Sequence, residues 1–401
     1  MTEPTTELSG KRILLGLTGG IAAYKAAELV RLFGRSGADV QVVMTSAACG
    51  FVTPATMQAL SGKHVFTDMW DSRVPNNMGH IELARDRDLI VVAPASADFI
   101  AKLANGLADD LLSTLCLARR GPLAVAPAMN VEMWSHPATQ RNVAQLRADG
   151  VAVLGPASGE QACGDTGMGR MLEASELYAE VVSALTPKFL EGRRVLVTAG
   201  PTYEPIDTVR GITNQSSGKM GYAVAQAAAQ AGARVTLVSG RTALPAPASV
   251  ERVDVVTARE MYDAVMARVK HTDVFIAVAA VADYHVVDAR GQKIKRSTGN
   301  LKLELAPNTD ILGTVAAGKN APFCVGFAAE TENLRVYAQE KRRKKGIPLL
   351  AANLAQEAFG RDDNALTLFD DDGEHVLARA PKTVLARQLL SHIASMLPKS
   401  R

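Results

Sequence analysis

The feature that most constrains the fold is a pattern that occurs twice: an apolar run, a glycine-rich turn, an amphipathic segment and a second apolar run. In the first half it reads KRILLGLTGGIAAYKAAELVRLFGRSGADVQVVMT, and in the second half RRVLVTAGP followed later by SSGKMGYAVAQAAAQAGARVTLVSG. Apolar runs that alternate with amphipathic segments are typical of a parallel sheet covered by helices on both faces. We therefore predict an α/β fold with two Rossmann-like parallel-sheet domains.

Ten apolar runs are predicted as strands, at 12–17, 39–44, 89–93, 122–126, 151–154, 194–198, 234–239, 253–256, 274–278 and 323–327. A helix predicted over 175–185 ends before Pro187, and residues 188–192 are predicted to be a linker. At 401 residues the chain is long enough for two domains, which we place at 1–189 and 190–401.

The composition, with 47% apolar and 21% charged residues, excludes disordered and fibrous proteins. The net charge of +3 does not require a nucleic-acid partner, because a basic phosphate pocket would explain it equally well. The polar N-terminus fits neither a secretory signal nor a transit peptide, and we find no apolar run long enough to span a bilayer. The cysteine spacing matches no zinc or C-x-x-C motif, which favours a reducing compartment. We expect a cytoplasmic protein whose partners include neither nucleic acid nor membrane.

The first glycine-rich turn, Thr18-Gly19-Gly20, follows a predicted strand and opens a predicted helix. Backbone N–H groups and the helix dipole at such a turn can hold a phosphate. An NAD-binding fold would place an acidic residue at the end of the second strand, whereas this strand ends in Met44-Thr45. The hydroxyl of Thr45 suits the monophosphate of flavin mononucleotide (FMN), and the alternative is that Thr45 caps a turn.

Polar loops after the third and fourth predicted strands are expected to face one crevice, since the carboxyl ends of parallel strands meet at the same edge. His80 follows a glycine in a predicted loop, and Cys163 lies in the glycine-dense segment QACGDTGMGR, which we predict to be a loop that covers the substrate. Its polar surroundings favour a chemical role for Cys163. The other cysteines are predicted to be packing residues: Cys49, Cys116 and Cys324.

The first half resembles the flavin-dependent cysteine decarboxylases, which include the phosphopantothenoylcysteine decarboxylases, through GLTGGIAAYK, PAMNVEMW and ACGDTGMGR. The resemblance implies that His80 acts as a base, Asn130 holds the substrate carboxylate and Cys163 donates a proton. It also implies that FMN oxidises the substrate thiol, which gives the electrons left by departing CO₂ an acceptor. The predicted FMN contacts are Thr18, Gly19, Gly20, Thr45, Ser96 and Met129. Many members of the family have Asn-Thr where this chain has Asp98-Phe99.

In the second half, the segment GITNQSSGKM is not a Walker A loop, because six residues separate its glycines and Met220 replaces the expected Ser or Thr. Its serines and glycine before a predicted helix still indicate an anion-binding site, with a plain helix cap as the alternative. Asp283 follows a predicted strand and so lies at the crevice, where a carboxylate can hold Mg²⁺ or a ligand hydroxyl.

The polar segment DYHVVDARGQKIKRSTGN is long enough to be a mobile flap. We expect Lys293, Lys295 and Arg296 to close over phosphates. Lys341 and Lys345 lie four residues apart on one face of a predicted helix. Taken alone, the KRRKK cluster is typical of a solvated helix face or a weak nucleic-acid patch.

The second half resembles the bacterial phosphopantothenate–cysteine ligases through TAGPTYEPID, RGITNQSSGKMG, AAVADY with a following KIK, and VGFAAET. The resemblance implies that CTP activates 4′-phosphopantothenate as an acyl cytidylate, which the amine of cysteine attacks. Asn214 would contact the acyl cytidylate, Lys293 would be the mobile catalytic lysine and Asp283 the metal ligand. The predicted CTP site comprises Ser216, Ser217, Gly218, Ala279, Ala280, Val281, Asp283, Asn308, Thr309, Asp310, Phe327, Lys341 and Lys345. Pro307 stands where this family usually has lysine.

Both resemblances, in this order, are those of the bifunctional decarboxylase–ligase family of bacterial coenzyme A biosynthesis, in which the second half makes the amide that the first half decarboxylates. Relatives of the first half form trimers or dodecamers and relatives of the second form dimers, so we expect a homo-oligomer. An NAD-dependent two-domain reductase would need the acidic residue missing after the second strand. A flavin-binding regulatory subunit would lack His80 or Cys163. A nucleic-acid binder would leave the glycine turns unexplained, and its affinity should fall steeply with salt.

Overall fold

The structure is a computed structural model that describes residues 6–73, 78–247, 249–295, 300–330, 332–354, 356 and 360–398. The chain forms two units, an N-terminal unit over Thr6–Leu185 and a C-terminal unit that begins at Thr186. Arg296, one of the predicted phosphate contacts, lies outside the described residues.

The N-terminal unit is built on a five-stranded parallel sheet with the order β2-β1-β3-β4-β5. Its strands are β1 (Arg12–Leu17), β2 (Asp39–Met44), β3 (Leu89–Ala95), β4 (Leu123–Pro127) and β5 (Ala152–Val153), and an antiparallel hairpin follows as β6 (Ala157–Glu160) and β7 (Thr166–Arg170). The helices are α1 (Ala23–Arg35), α2 (Ser46–Cys49), α3 (Pro54–Ser61), α4 (Gly79–Ala84), α5 (Ala97–Asn105), α6 (Leu111–Ala118), α7 (Val131–Ser135), α8 (Pro137–Ala148) and α9 (Ala174–Leu185).

Both faces of this sheet are buried, which explains why its strands are continuous apolar runs. Leu15 and Leu17 of β1 pack in a core with α1 and α9, whereas Leu14 points to the other face and packs with α5, α6 and α8. The sheet is therefore the middle layer of three.

The C-terminal unit contains an eight-stranded sheet with the order β12-β11-β8-β13-β16-β17-β18-β19, in which the first six strands are parallel and the last two antiparallel. Its strands are β8 (Arg194–Ala199), β11 (Arg234–Ser239), β12 (Val250–Asp254), β13 (Val274–Ala277), β16 (Phe323–Glu330), β17 (Leu349–Leu354), β18 (Asp363–Phe369) and β19 (Glu374–Pro381). Two small antiparallel ribbons are formed by β9 (Tyr203–Pro205) with β10 (Gly211–Thr213), and by β14 (Tyr284–Val286) with β15 (Leu305–Pro307). The helices are α10 (Lys219–Gln230), α11 (Ala258–Met266), α12 (Ile311–Ala316), α13 (Leu334–Lys345) and α14 (Lys382–Met396), with a 3₁₀ turn at Val269–His271.

The structure confirms the predicted three-layer α/β fold, with one correction in the C-terminal unit. The strand predicted at 253–256 is instead β12, Val250–Asp254, because its pairing with β11 starts at Val250. The start of the predicted flap forms β14, which pairs with β15 beyond the end of that segment, and the mobility of the flap stays a prediction. No helix within the described part of the chain combines the length and the apolar character needed to cross a membrane.

Candidate active sites

The strand order of the N-terminal sheet reverses between β1 and β3, and the residues that follow these two strands are joined there. The hydroxyl of Thr18 donates to the carbonyl oxygen of Pro94 at 2.7 Å and accepts from the backbone N–H of Ser96 at 2.9 Å. Thr18 is buried. Such a reversal opens a crevice at the carboxyl edge of a parallel sheet, so Thr18 and Ser96 lie where a ligand of this fold binds.

The glycine turn after Thr18 leads directly into α1, and its geometry fits a phosphate. A Cβ on Gly19 would stand 2.7 Å from Cβ of Ala47, so a side chain cannot fill this position. Thr45 and Ser96 cap α2 and α5 by accepting from the N–H groups of Ala48 and Phe99, at 3.2 Å in each case. Thr45 thus forms a helix cap, which was the alternative to a phosphate contact. The hydrogen of its hydroxyl group still has no acceptor among the described residues, so the hydroxyl can also donate to a phosphate. Gly20 closes the turn with open space around it.

The β6–β7 hairpin docks on the loop after β4. The N–H of Met129 donates to the carbonyl oxygen of Gly169 at 3.0 Å, and the N–H of Val131 donates to the side chain of Gln161 at 3.0 Å. The glycine-dense segment is therefore an ordered hairpin, and the predicted loop is confined to its tip, which carries Cys163.

Asn130 and Cys163 are brought together at this tip. Nδ2 of Asn130 donates to Sγ of Cys163 at 3.3 Å and to Oδ2 of Asp165 at 2.7 Å, while Sγ of Cys163 donates to the same Oδ2 at 3.3 Å. Cys163 is exposed. An amide donor, a thiol and a carboxylate thus share one accessible point, where a thiol can deliver a proton to a bound substrate. Asp165 was missed by the sequence analysis, although it stands two residues from Cys163 in the same motif.

His80 does not lie in a loop, as predicted, but in the first turn of α4. Gly79 is itself buried and lies in the same helix, so it does not belong to a loop. Nδ1 of His80 is buried and has no hydrogen-bond partner among the described residues. The hydrogen bonds of the described residues do not connect His80 to Asn130 or Cys163, so its role as a base stays a prediction.

The other cysteines of the chain match the predicted packing role to different degrees. Burial raises the pKa of the Cys116 thiol and of the Cys324 thiol to about 12, and both residues lie in hydrophobic cores. Cys49 is half-buried, and burial also raises its thiol pKa. At the Asp98-Phe99 departure, Phe99 packs in the core and Asp98 points to solvent, 3.6 Å from Lys102.

The C-terminal sheet reverses its order between β8 and β13, and Asn214 lies at that point. The loops after the two strands are joined by the N–H of Ala280 donating to the carbonyl oxygen of Gly200 at 3.0 Å. Nδ2 of Asn214 donates to the carbonyl oxygen of Ala280 at 3.0 Å. This places Asn214 beside Ala280 of the predicted CTP site, at the edge where ligands of such sheets bind.

A cavity of about 320 Å³ adjoins this point. Its lining includes nine of the residues predicted for CTP, which come from four separate segments of the chain. They are Ala279, Val281, Asp283, Asn308, Thr309, Asp310, Phe327, Lys341 and Lys345. Ala280, Ser216, Ser217 and Gly218 do not line it.

Charge in the cavity is concentrated at the ends of α12 and α13. Nζ of Lys345 donates to both oxygens of Asp310, at 2.7 and 2.6 Å. Burial alone would raise the pKa of the Asp310 carboxyl, but hydrogen bonds from Lys345 and from the N–H of Gly313 outweigh burial and hold that pKa below its ordinary value. Lys341 lies on the same face of α13 and also lines the cavity. The cavity therefore combines one neutralised lysine with a second lysine that is available to a phosphate.

The second glycine turn precedes α10 and packs against the loop after β8. Gly218 has φ +77° and is the N-cap of α10, and a Cβ there would stand 3.3 Å from Cα of Gly200. The hydroxyl of Ser216 accepts from the N–H of Gly218 at 3.3 Å, and the carbonyl oxygen of Ser217 accepts from Thr242 at 3.3 Å. The N-terminus of a twelve-residue helix thus faces the sheet reversal, as an anion site requires.

Lys293 is exposed, and the segment that carries it is fixed at the next residue. The N–H of Ile294 donates to Oδ2 of Asp207 at 3.1 Å, and its carbonyl oxygen accepts from Arg210 at 2.9 Å. Arg210 also pairs with Asp207, and this pairing, against the opposing effect of burial, holds the pKa of the Asp207 carboxyl well below its ordinary value. Asp207 and Arg210 were missed by the sequence analysis, although their spacing of three residues in a turn is a signal for such a pair.

Two family models match consecutive parts of the chain. The model described as Flavoprotein matches residues 1–186, and the model described as DNA/pantothenate metabolism flavoprotein C-terminal domain matches residues 190–397.

Curated relatives match almost the full length. The Coenzyme A biosynthesis bifunctional protein CoaBC of Vibrio vulnificus (strain CMCP6) is 51% identical over 396 residues, which cover 97% of this chain and 99% of that protein. The protein of the same name from Escherichia coli (strain K12) is 48% identical over 396 residues, 97% of this chain and 98% of that protein. Among solved structures, the C-terminal domain of a Coenzyme A biosynthesis bifunctional protein CoaBC is 40% identical and covers 52% of this chain and 97% of that chain, with a TM-score of 0.46.

Proposed function

Because this chain belongs to the family of bifunctional coenzyme A biosynthesis proteins, with a flavoprotein decarboxylase domain followed by a ligase domain, we propose a specific assignment of substrates. The C-terminal unit joins cysteine to 4′-phosphopantothenate at the expense of CTP, and the N-terminal unit decarboxylates the resulting 4′-phosphopantothenoylcysteine with FMN. In both reactions a carbon centre of the substrate must be activated before it can react, and each site has to provide this activation.

The observation that carries the ligase assignment is the convergence of nine predicted CTP residues on one cavity. Lys341 supplies positive charge for the triphosphate, and the carboxylate of Asp283 is the proposed ligand for Mg²⁺. The N-terminus of α10 with Ser216 and Ser217 offers a second anion site close to the sheet reversal. In the proposed step, a substrate carboxylate held beside Asn214 would attack the α-phosphorus of CTP, with pyrophosphate as the leaving group.

The carboxylate of 4′-phosphopantothenate has no good leaving group, so transfer of the cytidylyl group comes before attack by an amine. Asn214 is fixed through the carbonyl oxygen of Ala280 and keeps one amide hydrogen for the acyl cytidylate. Lys293 stands next to the fixed residue Ile294 and is exposed, so its ammonium group is free to reach the charge that develops on the phosphate.

In the N-terminal unit, FMN would supply a reversible oxidation of the substrate thiol: the thioaldehyde so formed accepts the electrons left by departing CO₂, and the reduced flavin returns a hydride, so that no net oxidation results. The residues present fit its phosphate: Gly19 leaves no room for a side chain, and the hydroxyls of Thr45 and Ser96 retain donor hydrogens. On substrate binding, Nδ2 of Asn130 would exchange its hydrogen bond to Cys163 or Asp165 for one to the substrate carboxylate, and Cys163 would return a proton to the carbon that has lost CO₂. His80, whose Nδ1 is buried without a partner among the described residues, is the proposed base.

These small-molecule reactions are proposed to take place in the cytoplasm, in a homo-oligomer. Large apolar side chains exposed on the N-terminal unit support an assembly through that unit, among them Ile21, Tyr24 and Trp70. We propose a trimer or dodecamer through the N-terminal unit and a dimer through the C-terminal unit, to be checked by light scattering of the full chain.

The decisive experiment supplies the purified full chain with 4′-phosphopantothenate, cysteine and either CTP or ATP, and follows flavin absorbance, pyrophosphate and CO₂. We expect a yellow protein that releases pyrophosphate with CTP and then CO₂. Pyrophosphate with ATP alone would overturn the nucleotide assignment. A colourless protein that releases neither product would overturn the whole assignment.

A further inference from the structure

Three side chains outside both active sites converge at the antiparallel end of the C-terminal sheet. Asp370 immediately follows β18, His375 lies in β19, and His392 lies near the end of α14. The turn between β18 and β19 faces α14, so three elements meet there. Asp370 is buried and the two histidines are half-buried.

The geometry of this group is that of a ligand set. One ligand atom from each residue lies within 4.8 Å of the others. Nε2 of His392 is 2.7 Å from Oδ2 of Asp370, and Nε2 of His375 is 3.0 Å from the same oxygen. The two imidazole rings stand with their centroids 4.6 Å apart. Two ring nitrogens and one carboxylate oxygen therefore face a common point.

The carboxylate is held in place independently of the histidines. Oδ1 of Asp370 accepts from the N–H groups of Asp372 at 2.9 Å and Gly373 at 3.0 Å. Oδ2 faces both imidazoles, and Nε2 of His375 also lies 3.1 Å from Oδ1. Outer contacts of this kind orient the ligands of metal sites.

We propose that Asp370, His375 and His392 form a binding site for a divalent transition-metal ion of the Zn²⁺ class, separate from the proposed magnesium ligand Asp283. Imidazole nitrogen with one carboxylate oxygen is a donor set that Zn²⁺, Co²⁺ and Ni²⁺ prefer, whereas Mg²⁺ prefers oxygen alone. An ion at about 2.0–2.2 Å from each ligand atom fits between them after a small opening of the group. The histidines would then carry their protons on Nδ1 and offer Nε2 to the metal.

Three protein ligands leave at least one position for water, so the ion would exchange with solvent through the half-buried histidines. The bound ion would act on the stability of the C-terminal unit. Asp370 and His375 lie in one hairpin and His392 in the C-terminal helix, so the ion would tie α14 to the edge of the sheet. Binding to the folded state alone raises the free energy of unfolding.

The test is calorimetric titration of Zn²⁺ into the full chain, treated with chelator and carrying no histidine tag, with thermal unfolding measured in parallel. We expect one ion per chain and a higher Tm with Zn²⁺. His375→Gln and His392→Gln should each weaken binding at least about tenfold, since each removes one of three ligands. The matched controls are His271→Gln, in the 3₁₀ turn, and Asp371→Asn, beside the site; both should bind as the wild type does.

Circular dichroism shows whether each variant is folded. Unchanged Zn²⁺ affinity in folded His375→Gln and His392→Gln would overturn the proposal, as would the absence of binding to the wild type. Loss of binding in Cys163→Ala would assign the ion to a thiol instead. Displacement of Zn²⁺ by millimolar Mg²⁺ would overturn the assigned metal class.

Discussion

The side-chain amide of Asn130 donates a hydrogen bond to Sγ of Cys163 at 3.3 Å, across thirty-three residues of sequence. This contact exists because the β6–β7 hairpin docks on the loop after β4 and brings its tip beside Asn130. It marks the point in the N-terminal unit where the substrate carboxylate and the proton donor would meet in the proposed reaction.

Replacement of this thiol should separate the two activities. In Cys163→Ala, CO₂ release should fall by about 10²–10⁴, the usual contribution of a positioned acid, while CTP-dependent release of pyrophosphate is unchanged. Both products are measured on one preparation. Cys49→Ala is the matched control, because Cys49 is half-buried and far from the hairpin in sequence. A simultaneous loss of pyrophosphate release would contradict separate sites.

Asn214→Asp should have the opposite effect: it should lower ligation and leave decarboxylation unchanged. The new carboxylate has no hydrogen to donate to the carbonyl oxygen of Ala280 and repels it, so amide synthesis should fall by at least about 100-fold. Decarboxylation of supplied 4′-phosphopantothenoylcysteine should continue at the wild-type rate. Asn105→Asp is the matched control, since Nδ2 of Asn105 also donates to a backbone carbonyl oxygen, at 2.8 Å, but on α5.

Gly169 controls the docking of the hairpin. Its φ is +127°, and a Cβ would stand 2.4 Å from the carbonyl oxygen of Met129, a backbone atom that cannot move aside alone. Gly169→Ala should therefore displace the hairpin and lower CO₂ release at least about tenfold, with ligation unaffected. In Gly150→Ala the substitution also falls at a positive φ, of +77°, but the space is open. If this control lost as much decarboxylation, strain in general and not hairpin docking would be the cause.

Alkylation should rank the cysteines by burial. Iodoacetamide reacts with thiolates, and burial raises the pKa of Cys116 and Cys324 to about 12 in addition to blocking access. Peptide mass spectrometry should find Cys163, which is exposed, modified first and these two last. Modification of Cys116 or Cys324 in the folded chain before Cys163 would show that the cores open more readily than their packing implies.

The carboxylate of Asp207 should make the stability of the C-terminal unit depend on pH. The pKa of its carboxyl in the folded chain lies below the ordinary value of 3.8, mainly because of its pairing with Arg210. Its contribution to stability is therefore complete above about pH 4 and is lost as the pH falls through the folded-state pKa.

The corresponding measurement compares the Tm of wild type and Asp207→Asn between about pH 6 and pH 3. The wild type should be the more stable above pH 4, and the difference should shrink below it. Ligation should also weaken in the variant, because Ile294 beside Lys293 loses its charged acceptor. Asp263→Asn, which removes an exposed carboxylate paired with Arg259, is the control. A difference in Tm that is independent of pH would contradict a role for the charge.

The sequence predicted the buried parallel strands best. The predictions at 12–17, 39–44 and 234–239 match β1, β2 and β11 residue for residue, because a strand buried on both faces must be continuously apolar. The buried parallel strand β17 was not predicted, and neither was the hairpin β18–β19. In β19 the residues alternate between half-buried and exposed, since that strand forms the edge of the sheet, and the apolar signal is correspondingly weak.

The candidate sites likewise contain residues that the sequence predicted and contacts that it could not predict. Motif residues such as Asn308, Asp310 and Lys345 were predicted, and the cavity brings them together. The sequence could not show that Lys345 forms an ion pair with Asp310. This pair depends on how α13 packs beside α12, and the two residues are thirty-five positions apart. Nor could it show that His80 begins a helix, since a glycine before a histidine is equally common in loops.

The hydroxyl of Thr18, which bridges Pro94 and Ser96, has a consequence for the lifetime of a bound cofactor. The loops after β1 and β3 have lost their conformational entropy when the sheet forms, before any ligand arrives. Binding of the cofactor therefore lowers only the entropy of the cofactor itself, and its release does not raise the entropy of the loops. Such a crevice favours a long residence time, so the N-terminal unit should keep its flavin through repeated turnovers. The exposed side chain of Lys293, in its proposed role, would have to be ordered anew in each cycle of the ligase.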